Sequence, residues 1–201
     1  MGAKAQSKKP QQSDNSLRVT GGELRGRRMR FPVRPGLRPT LERERERLFN
    51  WLQFDLAARS ILDAFAGSGI LGLEALSRSA AHCVFVERDT IASQAIQTTL
   101  KEWRCSERGQ VVQADFFGWL AHATEPFDVV FLDPPFSEDL FNQALQAVAS
   151  APAVRPGALV YLEAPRSFSG FNMAPFTVEK EKASGQLVQC LLRKQAQSEV
   201  L

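Results

Sequence analysis

The sequence lacks any long apolar run and contains only three cysteines, and each shortage excludes a class of protein. No window approaches the ~18 apolar residues of a membrane span, and the lysine-containing start of the chain has no apolar core typical of secretory signals. Cys83, Cys105 and Cys190 are far apart and without CxxC spacing, so we expect reduced thiols and no disulfide or zinc site. These absences favour a cytoplasmic protein that holds no metal and engages no membrane.

The charge is unevenly distributed along the 201 residues. Residues 1–47 carry 13 Lys and Arg against 5 Asp and Glu, whereas the remaining residues carry 12 against 17. From residue 18 to residue 47 every basic residue is arginine, which chelates phosphate with a planar fork and stacks on bases. We therefore expect a polyanionic partner, bound by Arg18, Arg25, Arg27, Arg28, Arg30 and Arg38.

The pattern of apolar and turn residues predicts three segments. Residues 1–16 are rich in Gln, Ser and Lys and predict a disordered tail. Residues 17–56 predict a basic extension, consisting of a hairpin that turns at Gly21 and Gly22 and a helix capped by Thr40. Residues 57–195 predict an α/β domain whose apolar strands are 60–66, 83–87, 110–114, 127–132 and 158–163, followed by a hairpin of 176–182 and 187–193.

Unusual residues follow several of these strands, at the sheet edge where ligands bind in open α/β folds. The segment Asp63–Gly69 leads into a GxGxxG pattern, in which Gly67 and Gly69 let the backbone approach a ligand closely. Glu87 comes 20 residues after Gly67 and is suited to accept hydrogen bonds from ribose hydroxyls, although it could also be an exposed strand cap. Asp115 and Phe116 suit the amino edge and the face of adenine, although Asp115 could equally cap the next helix. The pattern fits NAD or another adenosine cofactor.

The stretch Asp133-Pro134-Pro135-Phe136 distinguishes these possibilities. Two prolines end the preceding strand, and they leave the Asp133 carboxylate and the Pro134 carbonyl as adjacent acceptors. Acceptors aimed at the two N–H bonds of an aromatic amine direct its lone pair at an electrophile, while Phe136 stacks on the base. This arrangement suits methyl transfer, with S-adenosylmethionine as the methyl donor, and implies an extruded base.

The combination of motifs resembles the RsmD family of class I S-adenosylmethionine-dependent methyltransferases. The resemblance covers roughly residues 17–193 and includes Arg18-Val19, Gly21-Gly22, Gly26-Arg27, Arg38-Pro39-Thr40, Arg43, Arg45, Glu46 and 48–52, in addition to the strand-end motifs. It implies a seven-stranded Rossmann-like sheet and an enzyme that methylates N2 of one guanine in bacterial 16S rRNA, within the small ribosomal subunit. Nothing in the sequence suggests an obligate dimer, so we expect a monomer. Glu44 departs from the family pattern, which usually has an apolar residue there.

The resemblance also assigns roles to residues. It implies that Thr40 lies near the amino-acid end of the cofactor, that Asp63, Phe65, Gly67, Gly69, Glu87, Asp115 and Phe116 surround the cofactor, and that Asp133, Pro134 and Phe136 engage the guanine. The arginines of the extension would then bind RNA.

Three other functions remain open at the level of sequence. A DNA adenine-N6 methyltransferase shares the fold, but the chain lacks an insertion large enough for a separate target-recognition domain. An NAD-dependent oxidoreductase shares the glycine loop, but no His or Tyr acid is evident at a strand end. A catalytically inactive RNA-binding module would not need Asp133 and Phe136. Guanine is slightly favoured over adenine because its N1 and N2 positions are all donors, which match a carboxylate.

Overall fold

The computed structural model describes residues 15–31, 42–136, 140–168 and 174–196. The strands are β1 (Asn15–Arg18), β2 (Arg28–Phe31), β3 (Ser60–Asp63), β4 (His82–Glu87), β5 (Gly109–Gln113), β6 (Phe127–Leu132), β7 (Val154–Pro165), β8 (Phe176–Ser184) and β9 (Leu187–Lys194). The helices are α1 (Glu42–Trp51), α2 (Ile70–Ser77), α3 (Thr90–Glu102), α4 (Phe116–Leu120) and α5 (Phe141–Ser150). None of the helices in these ranges is long and apolar enough to span a membrane.

Seven strands form one sheet in the order β5-β4-β3-β6-β7-β9-β8. The strands β3 to β7 pair in parallel, whereas β9 pairs antiparallel with both β7 and β8. The predicted class, a Rossmann-like sheet with a C-terminal antiparallel hairpin, is confirmed. Because the second strand of that hairpin inserts next to β7, only β9 runs against the other strands. The strand order reverses between β3 and β6, which places the ligand-binding crevice of this topology above these two strands.

Helices cover both faces of the sheet, as the continuous apolar strands predict. One face packs against α1, α2, α3 and the N-terminal hairpin, with Phe49, Leu73 and Ile96 fully buried. The other face packs against α4 and α5, with Leu120 and Leu145 in its core. Cys83, Cys105 and Cys190 are unpaired with one another, and all three are buried.

The N-terminal hairpin is present but differs in detail from the sequence prediction. β1 begins at Asn15, inside the segment predicted as a tail, and pairs antiparallel with β2 from Asn15↔Phe31 to Arg18↔Arg28. The connection between the strands spans nine residues, 19–27, so Gly21 and Gly22 do not form a tight turn. These glycines instead allow close packing, because a Cβ atom on Gly22 would lie 1.8 Å from the carbonyl oxygen of Ser77 in α2.

The connection is fastened to α2 by the buried carboxylate of Glu74. This carboxylate accepts hydrogen bonds from the backbone N–H and hydroxyl of Thr20, from the backbone N–H of Gly21 and from the guanidinium of Arg78. Ser77 adds two bonds, since its hydroxyl donates to the Gly21 carbonyl at 2.5 Å and accepts from the Leu24 N–H at 2.9 Å. The hairpin is therefore an integral part of the fold.

Two predicted site residues, Arg38 and Thr40, lie outside the described residues, and Thr40 is also the predicted N-cap of α1. In the described part of α1, Leu48 is fully buried. Glu44, the departure from the family pattern, is also buried, and its backbone carbonyl lies 3.4 Å from the amide nitrogen of Gln189 in β9.

Candidate active site

The loop between β3 and α2 carries the predicted glycine pattern. Gly67 and Gly69 both adopt positive φ angles, +52° and +80°, which is the left-handed region that favours glycine. Gly72 has a different function, because a Cβ atom at this position would lie 2.2 Å from the ring of Phe85 in β4. The first two glycines thus shape the loop, and the third lets α2 pack closely on the sheet.

Asp63 supports this loop from below. Its side chain is fully buried at the end of β3 and accepts a hydrogen bond from the Gly72 N–H at 3.0 Å. Burial raises the pKa of Asp63 to about 7, although the Gly72 bond opposes this shift. Sequence reasoning expects Asp63 among the cofactor-binding residues. The structure shows its carboxylate bound to the Gly72 N–H, and a contact with the cofactor stays a prediction.

Glu87 lies at the end of β4, at the same edge of the sheet. One carboxylate oxygen accepts from the Gly67 N–H at 2.7 Å, and the other accepts from the Asp89 N–H at 2.7 Å. Because each carboxylate oxygen can accept more than one hydrogen bond, Glu87 retains capacity for ribose hydroxyls. The acid and the glycine loop are therefore held together before any ligand arrives.

Aromatic rings form a wall beside the loop. Phe65 packs against Phe116 with ring centroids 4.8 Å apart and against Phe117 at 6.2 Å. Phe116 is only 3% exposed, so its ring is mostly core, whereas Phe65 and Phe117 are half-buried. The stacking of an adenine on Phe116 stays a prediction, and Phe65 and Phe117 offer more exposed ring surface beside it.

Asp115 caps α4, which was the alternative to the predicted contact with adenine. Its carboxylate accepts from the Gly118 N–H at 3.0 Å, and the residue is exposed. A capping carboxylate uses one acceptor site and keeps others. The structure therefore shows the capping role, and the contact of Asp115 with an adenine amine stays a prediction.

The segment that follows β6 lies next to the glycine loop, because β3 and β6 are adjacent strands with Asp63 opposite Phe131. Asp133 is half-buried and Pro134 is buried at this edge. Phe136 is half-buried and contacts Phe141, with ring centroids 5.6 Å apart. The acceptor pair and the aromatic ring thus stand at the crevice where the strand order reverses.

The geometry fits an adenosine cofactor bound across the ends of β3 and β4. A left-handed glycine loop offers close backbone approach, Glu87 offers acceptors to ribose, and the phenylalanine cluster offers ring surface. Within the described ranges, no group of three His, Cys, Asp or Glu side chains is arranged to hold a metal ion.

Comparison with known proteins places this arrangement in a family. The family model described as "Conserved hypothetical protein 95" matches residues 17–193. The chain belongs to this family. The Conserved hypothetical protein 95 match covers the hairpin, α1 and the whole sheet, the same range over which the motifs resemble RsmD.

Named relatives share most of their length with this member of the Conserved hypothetical protein 95 family. The chain is 37% identical over 195 residues to ribosomal RNA small subunit methyltransferase D of Escherichia coli, covering 96% of this chain and 98% of that protein. It is 38% identical over 172 residues to the protein of the same name from Haemophilus influenzae, covering 84% and 89%. The solved structure of the Escherichia coli protein yhhF, assigned as a methyltransferase, superposes with a TM-score of 0.81 at 37% identity and covers 91% of this chain and all of that one.

In this family member the structure also reveals polar residues that sequence reasoning missed. Glu74 anchors the hairpin, and Tyr161 and Glu163 form a buried hydrogen bond of 3.0 Å beside Asp133. Burial raises the pKa of the Tyr161 phenol well above its usual value, and the nearby charges of Glu163 and Asp133 raise it further. Their spacing alone does not signal these contacts, because Glu74 binds the distant hairpin and Tyr161 also binds Gln189 on β9.

Proposed function

We propose that the chain transfers the methyl group of S-adenosylmethionine to the exocyclic N2 amine of a guanine in 16S rRNA of the small ribosomal subunit. The names of its relatives support the RNA substrate and the transfer of a methyl group. The choice of the amine and of the cofactor rests on the residues of the site.

The cofactor would be held at the ends of β3 and β4. The loop at Gly67 and Gly69 would lie against its amino-acid part, Glu87 would accept from the ribose hydroxyls, and Phe65 with Phe117 would contact the adenine. When bound, S-adenosylmethionine supplies a sulfonium methyl group, which is an electrophile. Thr40 belongs to this proposal through the resemblance alone.

The end of β6 would hold the amine. The N2 amine of guanine is a weak nucleophile because its lone pair is delocalised into the ring. The Asp133 carboxylate and the Pro134 carbonyl would each accept one N–H of the amine, which favours a pyramidal nitrogen whose lone pair faces away from both acceptors. Phe136 would stack on the base, a contact worth roughly 1–3 kcal/mol. The rate enhancement would then arise mainly from positioning and from fixed electrostatics.

The hairpin would bind the RNA backbone. Arg18, Arg28 and Arg30 lie on one exposed face, because the burial of β2 alternates and Arg18 pairs with Arg28. Arg25 and Arg27 are exposed in the connection that is fastened to α2. An array of guanidinium groups on a folded support suits phosphate contacts without a separate RNA-binding domain.

The observation that carries the proposal is the adjacency of β3 and β6, which brings the glycine loop and Asp133 to neighbouring strand ends. The test supplies labelled S-adenosylmethionine and unmodified small ribosomal subunits, followed by digestion and identification of the methylated base. Wild type should yield N2-methylguanine, and Asp133→Ala, which removes the acceptor, should reduce labelling about 10²- to 10³-fold while calorimetry shows nearly unchanged cofactor affinity.

Three outcomes would contradict the proposal. The absence of label on both particles and extracted 16S rRNA would remove the methyltransferase assignment, and N6-methyladenine as the product would identify a different amine. Near-normal rates in Asp133→Ala would remove Asp133 from the mechanism. Glu125→Ala provides the control, because Glu125 is an exposed carboxylate in the loop before β6, at the opposite end of that strand from Asp133.

A further inference from the structure

A line of buried hydrogen bonds leads from α1 to the carboxyl end of β7. The guanidinium of Arg47 donates to the side-chain oxygen of Gln189 at 2.6 Å, and the Gln189 amide donates to the Tyr161 hydroxyl at 2.6 Å. Tyr161 in turn donates to Glu163 at 3.0 Å. Gln189 and Tyr161 are fully buried and Glu163 is 4% exposed. The line therefore reaches a buried carboxylate, Glu163, at the ligand-binding edge of the sheet.

The direction of every bond in this line is fixed by its first member. A guanidinium can only donate, so Gln189 must accept through its oxygen and donate through its nitrogen. The Tyr161 oxygen receives that amide N–H, and its single proton is then directed to Glu163. Glu163 is thereby held in one orientation as a hydrogen-bond acceptor.

The pairing of β6 with β7 places Glu163 beside Asp133. Phe131 pairs with Tyr161 and Leu132 with Leu162, and the rings of Phe131 and Tyr161 lie on the same face with centroids 6.4 Å apart. Side chains alternate along strands, so extending this register by one residue puts Asp133 and Glu163 on that same face, on neighbouring backbones that run roughly 5 Å apart. The Tyr161 phenol experiences the charges of both carboxylates, in agreement with this placement.

We infer that Glu163 accepts the N1–H of the target guanine, while Asp133 and Pro134 accept the two N–H bonds of the N2 amine. This inference rests on the proposed function. Guanine presents these donors side by side on one edge, and a dry site must satisfy each of them because an unpaired buried donor is costly. Two acceptors at the end of β6 are occupied by the amine, so the carboxylate on the next strand serves N1.

The inference makes Glu163 a specificity-determining residue. Adenine has a lone pair at N1, which would face the Glu163 carboxylate and be repelled. Tyr161, Gln189 and Arg47 are positioning residues, since each acts through the next to orient Glu163. A substrate that keeps the 2-amine but lacks N1–H can still be methylated, so it tests recognition of N1 separately from transfer of the methyl group.

The test uses 2-aminopurine, which retains the 2-amine and carries a lone pair at N1. Small-subunit particles are reconstituted with guanosine or 2-aminopurine riboside at the nucleotide that the labelling assay maps. For wild type, kcat/KM should fall about 10³-fold or more on 2-aminopurine, because a site built for a donor rejects an analogue without it. In Glu163→Gln, kcat/KM on guanosine should fall about 10- to 100-fold. The ratio of kcat/KM for guanosine to kcat/KM for 2-aminopurine should decrease to about 10-fold, because the Gln amide can donate to the N1 lone pair of 2-aminopurine.

Two further variants complete the test. Tyr161→Phe keeps the buried ring but removes the hydroxyl that orients Glu163. It should decrease the ratio of kcat/KM between guanosine and 2-aminopurine while leaving cofactor affinity unchanged. This variant tests the role of Glu163 even if Glu163→Gln does not fold. Glu181→Gln changes a carboxylate on the exposed face of β8 and should leave the ratio unchanged.

Equal wild-type rates on both substrates would overturn the inference, as would an unchanged ratio in both Glu163→Gln and Tyr161→Phe. These outcomes differ from a failure of the proposed function, in which wild type would not methylate the guanosine particles.

Discussion

Replacing Glu74 with Gln should loosen the N-terminal hairpin from α2. The Glu74 carboxylate is fully buried and accepts three hydrogen bonds from Thr20 and Gly21, at 2.6 to 2.9 Å, besides its ion pair with Arg78 at 2.9 Å. An amide keeps one acceptor oxygen, but its nitrogen would face the Thr20 N–H, and the charge opposite Arg78 is lost.

The expected size of the effect follows from these contacts. Hydrogen bonds to a charged group contribute roughly 1.5–3 kcal/mol each, and breaking a buried ion pair by removing one partner costs roughly 3–5 kcal/mol. The Arg78 side chain is 23% exposed, so water compensates part of its charge and the lower end of this range applies. We expect a loss of about 3 kcal/mol in the free energy that holds the hairpin in place.

Limited trypsin digestion measures this loss directly, because the hairpin contains exposed arginines at 25, 27, 28 and 30. If cleavage requires local opening, a loss of about 3 kcal/mol should accelerate cleavage within residues 25–30 roughly 100-fold. If opening is instead coupled to global unfolding, the Tm should fall by about 6–12 °C. An increase in cleavage below about fivefold together with an unchanged Tm would refute the reasoning, and Glu125→Gln, a change at an exposed carboxylate, should alter neither quantity.

Three further predictions concern local features. Gly22→Ala should lower the free energy of unfolding, measured in urea, by more than about 2 kcal/mol, whereas Gly26→Ala should lower it by only about 1 kcal/mol. Both glycines have a positive φ, but only at Gly22 would the added Cβ atom meet neighbouring backbone. Equal losses in the two variants would contradict this reasoning. The raised pKa of Asp63 implies a contribution to stability that is fully present below pH ~4 and is lost as pH rises through about 7. Asp63→Asn should therefore make the free energy of unfolding less dependent on pH between pH ~5 and pH ~8. An unchanged pH profile in this variant would assign the dependence to another group. Replacing both Arg28 and Arg30 with Glu should weaken binding to small ribosomal subunits. The slope of log K against log salt concentration should decrease in magnitude by about 2, because two phosphate contacts are lost. An unaltered slope would mean that this face of the hairpin does not contact phosphate.

The sheet could be predicted from sequence because its strands are continuous apolar runs separated by helical periodicity. The run before Asp133 and the glycine pattern after Asp63 each mark a strand end without reference to the rest of the chain. Parallel strands bring such ends to one edge, so the grouping of the glycine loop, Glu87 and Asp133 follows from topology.

The roles of individual side chains were less predictable, because they depend on contacts between distant segments. Asp63 and Glu87 both looked like ligand contacts, and the structure shows Asp63 bound to the Gly72 N–H and Glu87 bound to the Gly67 N–H. Glu74 could not be recognised, since its partners in the hairpin, Thr20 and Gly21, are more than 50 residues away. The same holds for Tyr161, whose hydroxyl is bonded to a residue 28 positions along the chain.

The short helix α2 connects the two halves of the proposed function. It begins directly after Gly69, in the loop that would hold the cofactor, and its last residue, Ser77, bonds the hairpin that carries the arginines. Eight residues of helix span only about 12 Å, and every one of them is buried, so this element has little freedom to bend. The arginine face therefore keeps a fixed relation to the glycine loop through one rigid element. An RNA that docks on the hairpin would meet a surface already aligned with the site of transfer, and loosening Glu74 should impair methylation of particles more than it impairs cofactor binding.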